Sequence, residues 1–276
     1  MKTVFRIALL SLIFCSALIA QPKQLNWYSS YQKALADSKK TNRPIFIDIY
    51  ADWCGWCHKL DRDVYSTSQF ITYMQGYVPV KLNAEDNGEG TEFAKRFQVD
   101  GFPTLIVTDS EGNVTNRIGG YMEANALIAD MTAVQTLVQK EKKNPGDVQP
   151  AFLLARQYLT RDMYAEAKSR YEKVVASPKA TTDEKDEAQF SLALTQYYLR
   201  DLQSALTSLG TYRTQYPSGK SGEDALLLLS QIHVETDAKD KAKADLQEFL
   251  QKYPNSENVP RAKQVLDILN QKTTEN

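Results

Sequence analysis

Two cysteines three residues apart, in the stretch Trp53-Cys54-Gly55-Trp56-Cys57-His58, constrain this chain more than any other feature; the one remaining cysteine, Cys15, lies in an apolar leader. With Cys54 at the first turn of a helix, that spacing returns both sulfurs to the same end and nearly the same face, where they can be joined and parted without moving the backbone. The helix start adds unpaired N–H groups and a partial positive charge, which favour a thiolate over a thiol. A thiolate is the attacking species in disulfide exchange, so the pair reads as a thiol–disulfide redox site. A structural staple is the plainer alternative in an oxidising compartment. Closing so short a loop restrains the unfolded chain very little, which favours the reactive reading.

Residues 1–20 read as a secretory signal: Lys2 and Arg6 precede the apolar run from Ile7 to Ala20, which is short for a membrane span and ends in a small residue. The expected location is therefore outside the cytoplasm, periplasmic or secreted, with an uncleaved N-terminal anchor as the minor alternative. Phe14 is too bulky for the residue that lipoprotein processing at Cys15 wants before it. The chain has 276 residues, 42% hydrophobic and 24% charged, which suits one or two globular domains. A formal net charge of -1 leaves no global positive field for nucleic acid.

Trp27 to Lys40 carries apolar residues at helical spacing and is predicted to be a helix ended by Arg43-Pro44. Ile45 to Tyr50 is a strand apolar on both faces, as a central strand covered by helices is. Asp48 does not belong there: its face-mates Phe46 and Tyr50 are large, and a buried carboxylate has a raised pKa. Such a group suits a proton acceptor for a neighbouring thiol. The site helix is expected from Cys54 to about Val64, a second helix over Ser68 to Gly76, and a strand over Tyr77 to Leu82. Lys81, late in that strand, by default keeps its stem on the surface and its ammonium in water. After a polar loop, Asn83 to Gly90, come a short helix from Thr91 to Phe97, the segment Phe102-Pro103-Thr104, and strands Leu105–Thr108 and Val114–Ile118. Gly119-Gly120 breaks the chain before a helix from Ala124 to Lys140.

Residues 25 to 140 resemble the thioredoxin superfamily, with its elements in the family's order. The resemblance implies an α/β fold with a central mixed sheet flanked by helices, and a thiol–disulfide oxidoreductase acting on protein disulfides without a cofactor. It implies that Cys54 is the attacking sulfur, exposed at the helix start, and that Cys57 resolves the mixed disulfide. It puts Asp48 on the family's buried acid and Lys81 on the lysine beside it. Phe102, Pro103 and Thr104 fall on the cis-proline segment that offers backbone hydrogen bonds to a substrate chain, and Gly119 on the loop glycine bordering the same face. Trp53, Gly55 and Trp56 complete the expected substrate face, with Trp53, Trp56 and Phe102 as an apolar collar. Trp56 stands where thioredoxin has proline and the disulfide isomerases histidine. With no imidazole there to stabilise the thiolate, a reductant is expected rather than a strong oxidant.

Glu141 to Asp147 is charged and ends in a Pro-Gly turn, so the boundary between a redox domain (21–143) and a second domain (144–276) is expected there. Beyond it the apolar spacing is helical throughout. Ala167, Ala205 and Ala242 recur 38 and then 37 residues apart, each preceded twelve residues earlier by Ala155, Ala193 or Ser230 and followed four later by Tyr171, Leu209 or Leu246. This resembles tetratricopeptide repeats: about three helix pairs plus a capping helix from Val259 to Leu269, with a concave face for a protein or peptide partner.

Other classes are open to the same residues. Cys54-Gly55-Trp56-Cys57-His58 also spells the attachment signature of a c-type haem, with His58 as axial ligand. A metal site lacks a fourth ligand near Cys54, Cys57 and His58, and none is expected; His233 sits far off at a repeat position normally given to packing. A non-catalytic adaptor built on the repeats is the remaining reading.

Overall fold

The computed structural model describes residues 24–271, so the signal segment and Cys15 lie outside the described residues. The first helix, α1 (Tyr31–Thr41), starts later than the sequence predicts, with Ser30 as its N-cap, and ends on Asn42 in the left-handed region. Trp27 to Ser29 are drawn to a sheet edge instead, because Tyr28 pairs with the neighbouring strand through its own N–H to Pro79 and its carbonyl to the Lys81 N–H.

The sheet has four strands in the order β2-β1-β3-β4: β1 (Ile45–Tyr50), β2 (Val78–Asn83), β3 (Thr104–Thr108) and β4 (Val114–Gly119). β1 and β2 are parallel, and the other pairings antiparallel. Side chains of β1 alternate between faces. Ile45, Ile47 and Ile49 join Tyr31, Ala34, Phe93 and Ala94 in a core under α1 and α4 (Glu89–Arg96). Phe46 packs on the opposite face with Leu60, Val64, Tyr65, Phe70 and Met131, under α2 (Gly55–Leu60), α3 (Ser68–Met74) and α5 (Ala124–Lys143). Asp48 shares that second face.

Two boundaries differ from the sequence reading in ways that matter. The site helix stops being α-helical at Leu60 and continues as a π-helical turn over Asp61–Tyr65. α5 runs on to Lys143 because Glu141 gains partners across the next layer, Arg170 at 3.2 Å and Lys173 at 3.0 Å.

Beyond Asn144–Asp147 the chain is a stack of helix pairs: α6 (Val148–Leu159) with α7 (Tyr164–Ala176), α8 (Thr182–Tyr198) with α9 (Leu202–Gln215), α10 (Gly222–Glu235) with α11 (Lys239–Lys252), and finally α12 (Val259–Gln271). Ala155, Ala193, Ala167, Ala205 and Ala242 are all fully buried, where small side chains let successive helices close on one another. His233 is not a plain packing residue. It is buried, but its Nδ1–H donates to the Asp245 carboxylate at 2.6 Å, linking α10 to α11.

The stack is fastened to the sheet-bearing half. Arg161 pairs with Asp130 of α5 and also meets Asn116 of β4, while the buried Tyr158 hydroxyl donates to the Thr115 carbonyl at 3.0 Å.

Gly90, at the first turn of α4, faces the end of β2 so closely that an added Cβ would stand 2.0 Å from the Asn83 carbonyl oxygen. Backbone on both sides leaves little room to yield. Gly90→Ala is expected to cost roughly 1–3 kcal/mol of stability, read as a lowered urea midpoint, with the slope of the transition unchanged.

Candidate functional site

β1 ends at Tyr50, and the chain turns through Ala51-Asp52-Trp53 onto the helix whose N-cap is Cys54. Cys54 and Cys57 are joined in a disulfide with Cα atoms 5.3 Å apart. The Cys57 backbone N–H points at Cys54 Sγ, 3.0 Å away, so the first turn offers a donor to whatever negative charge that sulfur acquires. Ala51, Tyr50 and Phe102 pack around the pair. In the disulfide form both sulfurs are therefore covered: Cys54, expected to be the exposed one, retains 4% exposure and Cys57 1%.

The rim is aromatic. Trp53 and Trp56 are the most exposed large apolar residues among those described, at 70% and 57%. Trp53 is held in place from both sides: its ring meets Phe102 edge-on at 5.8 Å, and its indole N–H donates to the Glu85 carboxylate at 3.0 Å. Trp56 leans on Tyr121 at 5.6 Å, a collar residue the sequence reading missed. Tyr121 belongs to the loop after Gly119-Gly120, where only tertiary packing brings it to the site.

Phe102-Pro103 is a cis peptide, and Thr104, the first residue of β3, fixes the bend by donating to the Gly101 carbonyl at 2.8 Å. Gly120 N–H donates to the Pro103 carbonyl at 2.8 Å, which ties the Gly119 loop to the same segment. Gly55 and Gly119 have no atom within 4 Å of where a Cβ would stand, so both leave open surface beside the pair.

Beneath the site lies Asp48, fully buried, with neither carboxylate oxygen hydrogen-bonded among the described residues. The strand register sets it opposite Lys81, whose ammonium is 3.7 Å from Asp48 Oδ2, a charge contact beyond hydrogen-bond length. Lys81 is less solvated than its default reading predicts, with 19% of its side chain exposed. Its Nζ hydrogen-bonds Asp61 and lies over the rings of Tyr50, Tyr65 and Trp27 at 5.0, 5.7 and 5.8 Å. Burial lifts the Asp48 carboxyl from its ordinary 3.8 to about 7; Lys81 opposes that rise and the Asp61 charge adds to it. Burial and these same acids push the Tyr65 hydroxyl far above its ordinary value. Asp61 and Tyr65 both come from the π-helical turn. Asp61 stands seven residues after Cys54, two helical turns on the same side, and that spacing was a legible signal.

The haem reading does not fit this arrangement: the two sulfurs are bonded to each other beneath Tyr50 and Phe102, and the His58 ring N–H donates to the Asp52 carbonyl at 2.8 Å. No cluster of three or more metal-ligating side chains occurs among the described residues.

Comparison with known proteins separates the two halves. Residues 31–135 match the family described as a thioredoxin-like domain, and residues 146–275 match YfiO, described as an outer membrane lipoprotein. The thiol:disulfide interchange protein DsbD of Cronobacter sakazakii is 32% identical over 98 residues, which are 34% of this chain and 17% of that protein. The corresponding protein DsbD 2 of Pseudomonas aeruginosa is 28% identical over 120 residues, 42% of this chain and 19% of that one. The chain thus spans less than a fifth of the length of these relatives. Among solved structures, DsbH oxidoreductase is 26% identical, with a TM-score of 0.39, covering 42% of this chain and 88% of its own. The chain carries a thioredoxin-like domain with a Cys54–Cys57 pair, followed by a YfiO-like helical domain.

The Asp48 shift has a consequence for stability. Between the unfolded value near 3.8 and the folded value near 7 the native chain holds the extra proton, so stability falls as pH rises through that window and levels off above it. Each unit is worth about 1.4 kcal/mol at most. Asp48→Asn is expected to remove that slope and to exceed the native protein in stability at pH 8 by roughly 2–4 kcal/mol. Urea unfolding of both proteins at pH 5 and pH 8 checks this, and parallel slopes would refute it.

Proposed function

We propose that the chain is an exported thiol–disulfide oxidoreductase, acting as a reductase of protein disulfides, with the helical domain binding a partner protein. The observation that carries this reading is the pair itself: a disulfide at a helix start, one sulfur facing a backbone N–H, with a carboxyl of raised pKa buried below.

In the reduced protein, Cys54 as thiolate attacks one sulfur of a substrate disulfide. A mixed disulfide forms and the substrate's other sulfur leaves as a thiolate. Cys57 then gives up its proton, with Asp48 as acceptor, directly or through water, and attacks Cys54 Sγ. That second exchange releases the remaining substrate thiolate and closes Cys54–Cys57, so two electrons have passed to the substrate. An acceptor titrating near neutrality suits this task, because it is deprotonated often enough to take a proton and basic enough to hold it. Lys81 keeps Asp48 partly ionised, and Asp61 moderates Lys81. Trp53, Trp56 and Phe102 receive the substrate chain, with Gly55 and Gly119 leaving it room and Pro103 and Thr104 offering main-chain partners. A thiol-bearing redox partner at the membrane or outside the cytoplasm returns the pair to its reduced form.

Several observations support the finer points. Position 56 holds an indole where an imidazole would stabilise the thiolate, which favours the reducing direction, and the similar proteins DsbD bear the name of thiol:disulfide interchange proteins, which supports disulfide exchange as the reaction. The basic and apolar leader, together with the outer membrane lipoprotein family matched by the helical half, favours an extracytoplasmic location. No described helix is long and apolar enough to cross a membrane. The fully buried alanine seams leave the remaining faces of the repeats for a partner.

A Cys57→Ala variant is expected to accumulate mixed disulfides through Cys54 that are released by dithiothreitol, whereas Cys54→Ser captures nothing and loses insulin reduction to background. If both native sulfurs resist alkylation after mild reduction, or Cys54→Ser keeps full activity, the redox reading fails and the adaptor reading takes its place.

A further inference from the structure

A cleft of about 650 Å³ opens beside the cis-proline segment, and its two walls belong to different domains. The near wall is Asp100 to Thr104 with the end of β4 and the glycine loop, Arg117 to Gly120. The far wall is the α6–α7 turn, Thr160-Arg161-Asp162. Phe102 belongs both to this cleft and to the packing around Cys54 and Cys57, so the cleft begins where the reacting sulfurs end.

Two features mark it as kept open for a chain. Gly101 and Gly119 have ordinary backbone φ and nothing within 4 Å of a Cβ position, so neither internal packing nor backbone conformation requires glycine there. The far wall is also held in place: Arg161 grips Asp130 and Asn116, and Tyr158, just before the turn, bonds to Thr115. The cleft's width is therefore set by the interface between the domains, not by a swinging linker.

Its lining carries three carboxylates, Asp100, Asp130 and Asp162, against two guanidiniums, so its net charge is acidic. Arg161 pairs with Asp130, and Arg117, still charged, is drawn back by the carbonyls of Phe97 and Gln98, both at 3.1 Å. Asp100 is exposed with no ion-pair partner among the described residues, and exposed Asp162 meets only the neutral Tyr164 hydroxyl.

We infer that the α6–α7 turn is the far wall of the substrate site, and that the cleft takes the extended polypeptide arm flanking the target disulfide, with preference for an arm carrying lysine or arginine. The inference rests on the redox reading above and adds to it a specificity element supplied by the helical domain. Thr160 and Asp162 are then residues that select substrate without touching the sulfurs.

The test uses the full, pre-reduced protein and follows its single-turnover oxidation by three disulfides: hydroxyethyl disulfide, and two synthetic peptides sharing one disulfide, flanked by lysines in one and by glutamates in the other. Thr160 is exposed with φ -74° and ψ -5°, a backbone any side chain adopts, so Thr160→Trp can fill the cleft without disturbing the fold. The native protein should favour the lysine peptide. Thr160→Trp should slow that peptide about tenfold while leaving hydroxyethyl disulfide unchanged, the latter serving as the check that the domain is folded. Asp162→Asn, tolerated at its left-handed φ of 57°, should shrink the lysine-over-glutamate preference without filling anything. Equal native rates with the two peptides, an unchanged lysine-peptide rate in Thr160→Trp, or a parallel fall with the small disulfide would each overturn the inference. A native protein oxidised by none of the three would instead overturn the redox reading on which it stands.

Discussion

One fully buried carboxylate organises the thioredoxin-like half of this molecule. Asp48 sits on a strand whose other side chains are large and apolar, and the alternation of β1 turns it to the face on which the site helix packs. Burial of such a group costs several kcal/mol when it is charged. The fold responds in two ways. It lets the pKa rise until the proton is shared with solution near neutrality, and it brings a single ammonium to 3.7 Å, close enough to be felt but not to neutralise. What holds Lys81 at that distance is Asp61, reached through a local widening of the helix into a π turn, together with three aromatic rings that replace part of the ammonium's lost hydration. A loop-borne acid in place of Asp48 would be solvated, without the burial that lifts the Asp48 carboxyl to about 7.

The helical half is not an appendage on a flexible tether. Arg161, Tyr158, Arg170 and Lys173 all reach back to residues of β4 or α5, and each of these contacts is at least partly shielded from solvent. Partly buried, bidentate arginine contacts fix geometry better than surface pairs do. Rigid attachment beside the cis-proline segment sets one face of the repeats at the border of the Cys54–Cys57 site.

The strands' places along the chain, the position of the pair and the repeat register were legible because each rests on a local rule: an apolar run of strand length in β1, the Cys-x-x-Cys spacing, and alanines recurring at matching helical positions. Four features were not. Trp27 to Ser29 reads as helix by periodicity but is claimed by a sheet edge. The resemblance sets Lys81 beside Asp48, but how closely it is enclosed, with 19% of its side chain exposed, was not legible, because β1–β2 register and Asp61 decide that. Tyr121 joins the aromatic collar from a loop with no motif of its own. His233 occupies a packing position but is partnered by Asp245, because a helix twelve residues on brings a carboxylate to the same depth.

The sequence by itself determined which groups can exchange electrons and protons here, since side-chain chemistry and short-range spacing are written directly in the order of residues. Only the tertiary structure decided how strongly Asp48 holds its proton, how far the sulfurs are covered, and that a turn of the helical half faces the cis-proline segment. Those depend on distances between residues far apart in the chain, which burial and register set and no local pattern encodes.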